Sequence, residues 1–158
     1  MILEYYCLPH CKHRPVRANP SDAGLDLCFN PTEFWESNKL GSVHFPKGKS
    51  IILPTGLKFG VPHGHMLQIM NRSGNAAKKQ WIVGACVVDS GYDGEVFVNL
   101  HNISDIDWII QPGTKIAQAV LIPVTPARFV ETSNDNLYDW HPITISGRGA
   151  GSLGSTGE

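Results

Sequence analysis

The sequence predicts an all-β domain, a sandwich or barrel of short strands, and three observations support this fold class. Hydrophobic side chains recur with a period of two, most clearly at Val96, Val98 and Leu100, which alternate with polar and aromatic residues over 95–101. The 158 residues include 16 Gly and 11 Pro, which favour many turns and few long helices. Regularly spaced turns between short strands are typical of all-β sandwiches and barrels.

Seven short segments have the composition of β-strands. In chain order they are residues 50–53, 57–61, 65–70, 81–88, 95–101, 108–110 and 115–122. Turn-forming sequences, such as PTG at 54–56 and PG at 112–113, separate them. Only residues 32–37 and 75–80 have helical character, and both segments are short.

The charge balance excludes one class of function. The chain has thirteen Lys and Arg residues and fourteen Asp and Glu residues, which gives a net charge of −1. It therefore has no basic excess of the kind by which DNA-binding proteins attract phosphates. We therefore expect no nucleic-acid partner. Charged residues make up 17% of the chain, below the ~25% of ordinary soluble domains, which indicates that other subunits cover part of the surface.

No targeting or membrane-spanning segment is expected. The longest apolar stretch, residues 117–124, is interrupted by Gln118 and Pro123 and is far shorter than the ~20 residues needed to cross a bilayer. Without a secretory signal, the four cysteines indicate a reducing compartment and free thiols. We therefore expect a cytoplasmic or nuclear protein without a membrane partner, with a virus or phage as a further possible source.

A run of cysteine and histidine near the N-terminus raises the question of a metal site. Cys7, His10, Cys11 and His13 follow each other closely. Their spacing matches no usual zinc-ligand pattern, and no second pair of ligands follows. We expect the end of a strand here rather than zinc.

Two segments combine acids with an arginine and a hydroxyl. Residues 21–27, SDAGLDL, place two acids four positions apart around a glycine. Residues 71–74, NRSG, follow a predicted strand, and Arg72 with Ser73 at a strand end suits a cluster of anionic oxygens. A solvated turn is the alternative for an isolated Arg-Ser-Gly sequence.

Two more polar residues stand in or beside apolar strands. In residues 83–95, Asp89 ends an apolar strand before a tight turn, so its carboxylate is either a turn former or a base that orients water. Gln118 interrupts the apolar strand 115–122, and a single Gln in a strand is commonly exposed at an edge.

The last thirteen residues, 146–158, differ in composition from the rest. They contain five Gly and three Ser, and Leu153 is their only large apolar side chain. Such a segment buries too little apolar surface to hold itself in place. It is either a frayed tail or an arm that orders on a ligand, with glycine amides close to phosphate oxygens.

Taken in order, these segments resemble the five motifs of the trimeric dUTPases, enzymes that hydrolyse dUTP to dUMP and pyrophosphate. The similar segments are, in motif order, DAGLDL at 22–27, NRSG at 71–74, residues 83–95, GTKIAQ at 113–118 and GRGAGSLGST at 147–156. The likeness spans about residues 18–156. It implies a jelly-roll-like β-sandwich or barrel, the β-clip of this family, over residues 1–145, and a flexible arm, residues 146–158, that closes over the active site.

Three residues depart from the family pattern. Cys86 stands where the third motif usually has Gly, and Gly91 stands where it usually has a second acid. Leu153 replaces the Phe that covers the uracil ring in the family. The resemblance also implies that residues 34–43 form a surface insertion.

The resemblance implies roles for individual residues. Asp89 would accept a proton from the water that attacks the α-phosphorus, Asp26 would support the site, and Arg148 would close over the γ-phosphate. Mg²⁺ would be held mainly by phosphate oxygens and waters rather than by protein side chains. The implied substrate-binding residues are Arg72, Ser73, Gly74, Val83, Val88, Tyr92, Gln118, Leu153, Gly154, Ser155 and Thr156.

The third motif would recognise the nucleoside. Uracil would lie in the opening of its hairpin, read by main-chain groups of residues 83–88 and of the return strand, and Tyr92 would pack beneath the deoxyribose. The five motifs cannot all converge within one small domain, so the resemblance implies a homotrimer with shared active sites.

Three other functions fit the same scaffold. The dCTP deaminases share the fold and an Asp-x-Gly-aromatic turn, but their chemistry needs a glutamate on the return strand, where this chain has Asn99. A related phosphohydrolase would act on dCTP or dUMP. A nucleotide-dependent binding or regulatory module would need no catalysis, and the presence of Asp89 and Arg148 argues against a purely binding role.

Overall fold

A computed structural model describes residues 1–32, 41–133, 137, 138 and 142. Eleven strands make up most of the regular structure in this part of the chain, and the prediction of an all-β fold is confirmed. In chain order the strands are β1 (Glu4–Cys7), β2 (Leu25–Cys28), β3 (Val43–Phe45), β4 (Ser50–Pro54), β5 (Leu57–Gly60), β6 (His65–Met70), β7 (Trp81–Val83), β8 (Val87–Val88), β9 (Phe97–Asn102), β10 (Trp108–Ile110) and β11 (Lys115–Pro123).

Every pairing between these strands is antiparallel. One sheet has the order β2–β11–β6–β8, a second has the order β4–β9–β7, and two further pairs are β1–β5 and β3–β10. The long strand β11 pairs on both sides, so that Gln118 lies opposite Asp26 of β2 and opposite Met70 of β6. This register brings three of the polar segments close together.

The chain changes sheets between β7 and β8. Val83 lies opposite Leu100 of β9, whereas Val88 lies opposite Leu67 of β6. The prediction of one continuous strand over residues 81–88 is therefore wrong, because the intervening residues cross from one sheet to the other. A change of partner strand depends on distant parts of the chain and leaves no local pattern.

The alternation over residues 96–100, at the start of β9, contributes to the core, as the sequence predicts. Val96, Val98 and Leu100 are at most 2% exposed, whereas Phe97 is 48% exposed. The buried ring of Trp81 packs edge-on against Phe45 at a centroid distance of 5.9 Å. Full burial of one aliphatic core side chain contributes about 1.5–3 kcal/mol, so these alternating positions hold the sheet to its neighbours.

One π-helical turn, Asn75–Lys79, lies within the described ranges, where the composition of residues 75–80 predicts a short helix. It ends at Gln80, which adopts a left-handed conformation with a φ of 56°. The buried Asn75 side chain donates a hydrogen bond to the Lys115 carbonyl at 2.9 Å and fixes the turn against β11. No helix among the described residues is both long enough and apolar enough to cross a membrane.

Several predicted features lie partly or wholly outside the described residues. Of the predicted helix 32–37 only residue 32 is described, and of the predicted insertion 34–43 only residues 41–43 are. One compact unit, Met1–Pro126, contains the eleven strands. The second unit, Ala127–Glu158, has no strand or helix among its described residues. The boundary between residues 145 and 146, and the arm beyond it, stay predictions.

The Cys–His run near the N-terminus is fixed by the fully buried side chain of Asn30. Its amide nitrogen donates to the carbonyls of His13 at 2.9 Å and Thr55 at 2.8 Å, and its Oδ1 accepts from the His13 amide at 2.7 Å. Burial, and then the adjacent Cys7 thiol, raises the pKa of Cys11 to about 12, so this thiol is protonated at neutral pH. Among the described residues, no group of three or more His, Cys, Asp or Glu could hold a metal ion.

Candidate active site

Three of the polar segments line one open cleft of about 410 Å³. The first segment lies on and before β2, the second follows β6, and the fourth lies on β11, and these three strands are neighbours in one sheet. The lining residues are Ala18, Asp22, Ala23, Gly24, Asp26, Arg72, Ser73, Gly74 and Gln118. Five residues predicted from the sequence therefore lie together: Asp26, Arg72, Ser73, Gly74 and Gln118.

The Asp26 carboxylate pairs with two cations. The Nε atom of Arg72 donates to Asp26 Oδ1 at 2.7 Å, and the Nζ atom of Lys115 lies 2.9 Å from Asp26 Oδ2. Burial alone would raise the pKa of Asp26, but the hydrogen bonds from Lys115 and Arg72 outweigh it and lower the pKa below its usual value. The carboxylate is therefore ionised at neutral pH and holds the Arg72 guanidinium at the cleft.

Asn71 joins the fourth segment to the third. The Gln118 side chain donates from Nε2 to the Asn71 carbonyl at 2.8 Å, and Asn71 Oδ1 accepts from the Val83 amide at 2.7 Å. Gly24 packs directly on Gln118, because a Cβ at position 24 would come within 1.9 Å of Gln118 Oε1. Gln118 is therefore held in a fixed position and is more than an exposed residue of an edge strand.

The third segment forms a tight turn after β8. Asp89 is exposed at the end of the strand, and its carbonyl accepts from the Tyr92 amide at 3.2 Å. Gly91 has a φ of 88°, a conformation that favours glycine over the acidic residue that the family usually has there. The Tyr92 ring lies on Gly94, where an added Cβ would come within 2.2 Å of the tyrosine oxygen.

The chain leaves β9 after β7 and pairs with β6 as β8. The Gly84 amide donates a hydrogen bond to the Asn99 carbonyl at 2.9 Å, and the Ile69 amide donates to the Cys86 carbonyl at 2.7 Å. The side chains of Asn99 and His101 lie against Gly84, since a Cβ there would be 2.1 Å from Asn99 Oδ1 and 2.4 Å from His101 Nε2. The main-chain groups of residues 84–86 therefore lie where the chain crosses from one sheet to the other.

One chain does not bring all the predicted site residues together. The described lining of the cleft includes none of Val83, Val88, Asp89 and Tyr92 of the third segment. The predicted arm residues lie outside the described residues; these are Arg148, Leu153, Gly154, Ser155 and Thr156. The roles of all these residues stay predictions.

Two residues of the site have no predicted role in the sequence analysis. Lys115 pairs with Asp26, and Asn71 bonds to both Gln118 and Val83. Both residues belong to segments that the sequence analysis identifies. Their position next to the motif residues is therefore the one feature of the sequence that could have indicated a role for them in the site. Their partners lie far away in the chain, which is why the sequence alone does not assign them a function.

The protein is an all-β protein with an open cleft that contains an ionised acid, an arginine and a hydroxyl. Such a cleft suits an anionic ligand. The dUTPase family model matches residues 11–141 of this chain. Deoxyuridine 5'-triphosphate nucleotidohydrolase of Chlamydia trachomatis serovar L2 is 38% identical over 159 residues, which cover 99% of each chain. That of Gloeobacter violaceus is 34% identical over 152 residues, 95% of this chain and 92% of the relative. The chain belongs to the dUTPase family.

Solved structures show the same fold. A mutant dUTPase of Staphylococcus bacteriophage 80alpha with dUpNHpp superposes with a TM-score of 0.80 over 99% of both chains, at 20% identity. A mutant dUTPase from phage phi11 of S. aureus, described with a structural Mg(II) ion, has a TM-score of 0.71 at 19% identity over 85% of this chain and 99% of its own. The similarity to these solved structures supports the jelly-roll-like fold that the sequence predicts.

Proposed function

We propose that the protein is a dUTP diphosphatase, which hydrolyses dUTP to dUMP and pyrophosphate. Membership of the dUTPase family and the names of its relatives support the substrate and the reaction. The single observation that carries the proposal is the Asp26–Arg72–Lys115 cluster beside Ser73 and Gln118, because it places a fixed guanidinium and polar donors in an open cleft.

The cleft would bind the triphosphate. Arg72 has five N–H donors, and Asp26 engages two of its nitrogens, so others remain for phosphate oxygens. The Ser73 hydroxyl, the Gly74 main chain and the Gln118 amide line the same cleft and would hold further oxygens. Fixing the triphosphate in this way lowers the entropic part of the reaction barrier.

The donor set of the cleft fits Mg²⁺ as an ion held mainly by the substrate. Carboxylate oxygens suit this hard cation, and Asp22 and Asp26 line the cleft. Both Asp26 oxygens already accept hydrogen bonds from Arg72 or Lys115, so Asp26 would contact metal-bound water rather than the ion itself. When bound, Mg²⁺ would neutralise charge on the phosphates.

Asp89 would be the general base of the reaction. Its exposed carboxylate stands at the end of β8, open to water and substrate. It would take a proton from the water as the water oxygen bonds to the α-phosphorus. The bond from that phosphorus to the bridging oxygen breaks at the same time, and pyrophosphate leaves.

The segment that crosses from β7 to β8 would bind uracil. Val83 and Val88 border the segment that crosses between the two sheets, and its main-chain amides and carbonyls would read the base edge. Tyr92 follows in the adjoining turn and would pack beneath the deoxyribose, leaving no room for a 2′-hydroxyl. In the predicted arm, Leu153 would cover the base.

The complete enzyme would be a homotrimer whose active sites are shared between chains. This proposal is supported by the lining of the cleft, which includes no residue of the third segment. Another chain would therefore have to supply Asp89 and Tyr92. Apolar side chains also remain exposed, among them Ile52 at 59% and Ile109 at 64%. The intracellular location predicted from the sequence belongs to the same proposal and agrees with the four free thiols.

One assay tests this function against its alternatives. The protein is incubated with Mg²⁺ and each deoxynucleoside triphosphate or dUMP, and nucleotide binding and the release of pyrophosphate, orthophosphate and ammonia are measured. We expect pyrophosphate from dUTP. Ammonia from dCTP would identify a deaminase, hydrolysis of dCTP or dUMP would identify a related phosphohydrolase, and binding without any product would identify a regulatory module.

The Asp89→Asn variant tests the mechanism. We expect turnover of dUTP to fall by about 10²–10⁴-fold, the usual contribution of a general base, while a non-hydrolysable dUTP analogue still binds. The exposed Asp105→Asn is the matched control, since it removes the same charge outside the site. Turnover of Asp89→Asn within twofold of the native chain would contradict the assignment.

A further inference from the structure

His10 and Glu95 form a pair that the proposed mechanism does not use. His10 Nε2 lies 3.0 Å from Glu95 Oε1, and the two side chains are only 22% and 13% exposed. The same Glu95 oxygen accepts from the Gly56 amide at 2.7 Å. One carboxylate thus joins the segment after β1, the turn between β4 and β5, and the residues just before β9.

The backbone of Glu95 in turn holds Tyr92. The Tyr92 hydroxyl donates to the Glu95 carbonyl at 2.9 Å, while the ring rests on Gly94. The Glu95 side chain, through its contacts with His10 and Gly56, therefore holds the main chain of Glu95 in place. The carbonyl of that main chain accepts the hydrogen bond from Tyr92. Because Tyr92 is 48% exposed, these contacts, rather than a surrounding core, set the position of its ring.

Two other contacts anchor the same turn. The Ser90 hydroxyl donates to the Val61 carbonyl at 3.0 Å, and Lys58 Nζ lies 2.6 Å from Asp93 Oδ1. The Asp93 side chain is 91% exposed, and exposed ion pairs contribute little. The largely buried Glu95 carboxylate, with its charge-assisted hydrogen bond from a main-chain amide, is the stronger anchor at the Tyr92 end of the turn.

We propose that Glu95 is a positioning residue for sugar discrimination, and that His10 supports it. The proposal rests on the proposed function, in which Tyr92 excludes the 2′-hydroxyl of a ribonucleotide. Steric exclusion depends on where the ring lies, so loss of the Glu95 anchor lets the ring move away and admits the ribose. His10, a member of the Cys–His run near the N-terminus, thereby has a proposed role that needs no metal.

The first test compares kcat and KM for dUTP and UTP. We expect Glu95→Ala to lower the ratio of kcat/KM for dUTP to that for UTP about tenfold, within the range that pocket contacts contribute to specificity, mainly through a lower KM for UTP. Glu95→Gln keeps an acceptor oxygen for Gly56 and should hold the ratio within about twofold. His10→Ala should shift the ratio in the same direction as Glu95→Ala by a smaller factor, whereas the exposed His63→Ala and Asp105→Ala should not.

A second test separates this proposal from the proposed function. If Tyr92→Ala leaves the dUTP/UTP ratio unchanged, the role of Tyr92 itself is wrong. If Tyr92→Ala lowers the ratio and neither Glu95→Ala nor His10→Ala does, the positioning role is wrong. In a Tyr92→Ala background, Glu95→Ala should change the ratio no further, because the two act as one unit; an additional independent loss would overturn the proposal. His10→Ala keeps the test valid should Glu95→Ala fail to fold.

Discussion

The Asp26 carboxylate binds two cations, and this makes stability depend on pH in a defined direction. Because its pKa is lowered in the folded protein, the ionised form stabilises the fold above the usual Asp pKa, and this contribution is lost as the pH falls through the folded value. We expect Asp26→Asn to lower the free energy of unfolding at neutral pH by about 1.5–3 kcal/mol, the scale of charged hydrogen bonds. Denaturant unfolding at neutral and acidic pH measures this.

The same experiment has an internal check. The difference between the native chain and Asp26→Asn should shrink as the pH falls, because protonation removes the charge that the variant lacks. Asp105→Asn, at an exposed position, provides the control. A difference that stays constant down to acidic pH would contradict the ion-pair account.

Gly24 determines where the Gln118 side chain can lie. An added Cβ would be 1.9 Å from Gln118 Oε1, so Gly24→Ala must displace that amide from the cleft. We expect KM for dUTP to rise about tenfold, the size of a lost hydrogen bond to a charged group, with little change in Tm. Gly60→Ala is the control, since its Cβ would meet no atom closer than 3.8 Å. Unchanged KM for Gly24→Ala would mean that Gln118 does not hold substrate.

Among the larger elements, the glycine-rich segment 146–158 is predicted to act as an arm that closes over the substrate. We expect deletion of residues 146–158 to reduce kcat/KM far more than any change at Leu153, because the contacts of Arg148 and of residues 154–156 with phosphate would be lost. Leu153→Phe should lower KM for dUTP about 2–10-fold, since base–aromatic stacking contributes about 1–3 kcal/mol and leucine already recovers part of it. Steady-state kinetics on dUTP with Mg²⁺ measures both.

Each variant of the arm has its own contradicting outcome. A truncated protein as active as the native chain would show that residues 146–158 are only a tail. An unchanged or raised KM for Leu153→Phe would mean that Leu153 does not cover the base.

Strands were predictable where burial alternates along the chain. His65–Met70 and Trp108–Ile110 have the predicted bounds, and the inward positions of β9 are those the sequence indicates. The sequence analysis does not identify β1 as a strand, because its side chains are mostly exposed and carry no alternation. The break within residues 81–88 follows from the exchange of partner strand, which no local pattern encodes.

The candidate site was predictable only as a set of segments. The motifs identify Arg72 and Asp26, but the pairing of Asp26 with Lys115 depends on the register of β2 against β11. The His10–Glu95 contact joins residues 85 positions apart. Such contacts depend on the tertiary structure, and no periodicity or spacing in the sequence reports them.

At the scale of the whole molecule, we propose that one chain holds only part of each active site. The cleft contains the side chains that we propose bind the phosphates, whereas Asp89 and Tyr92 lie on a turn that does not line it. A ring of three chains of 17.3 kDa each, about 52 kDa in all, would let each cleft face the third segment of a neighbour.

Mixing two inactive variants tests this claim most directly. Arg72→Gln removes the guanidinium of the cleft and Asp89→Asn removes the base, so each homotrimer should be nearly inactive. After the two are unfolded together in equal amounts and refolded, shared sites predict recovery of about a quarter of the native dUTPase activity, because random pairing in the ring restores one site in four. Each variant refolded alone, with its size checked by light scattering, is the control. Complexes of trimer size with no recovered activity would contradict the shared site, as would a fully active native monomer.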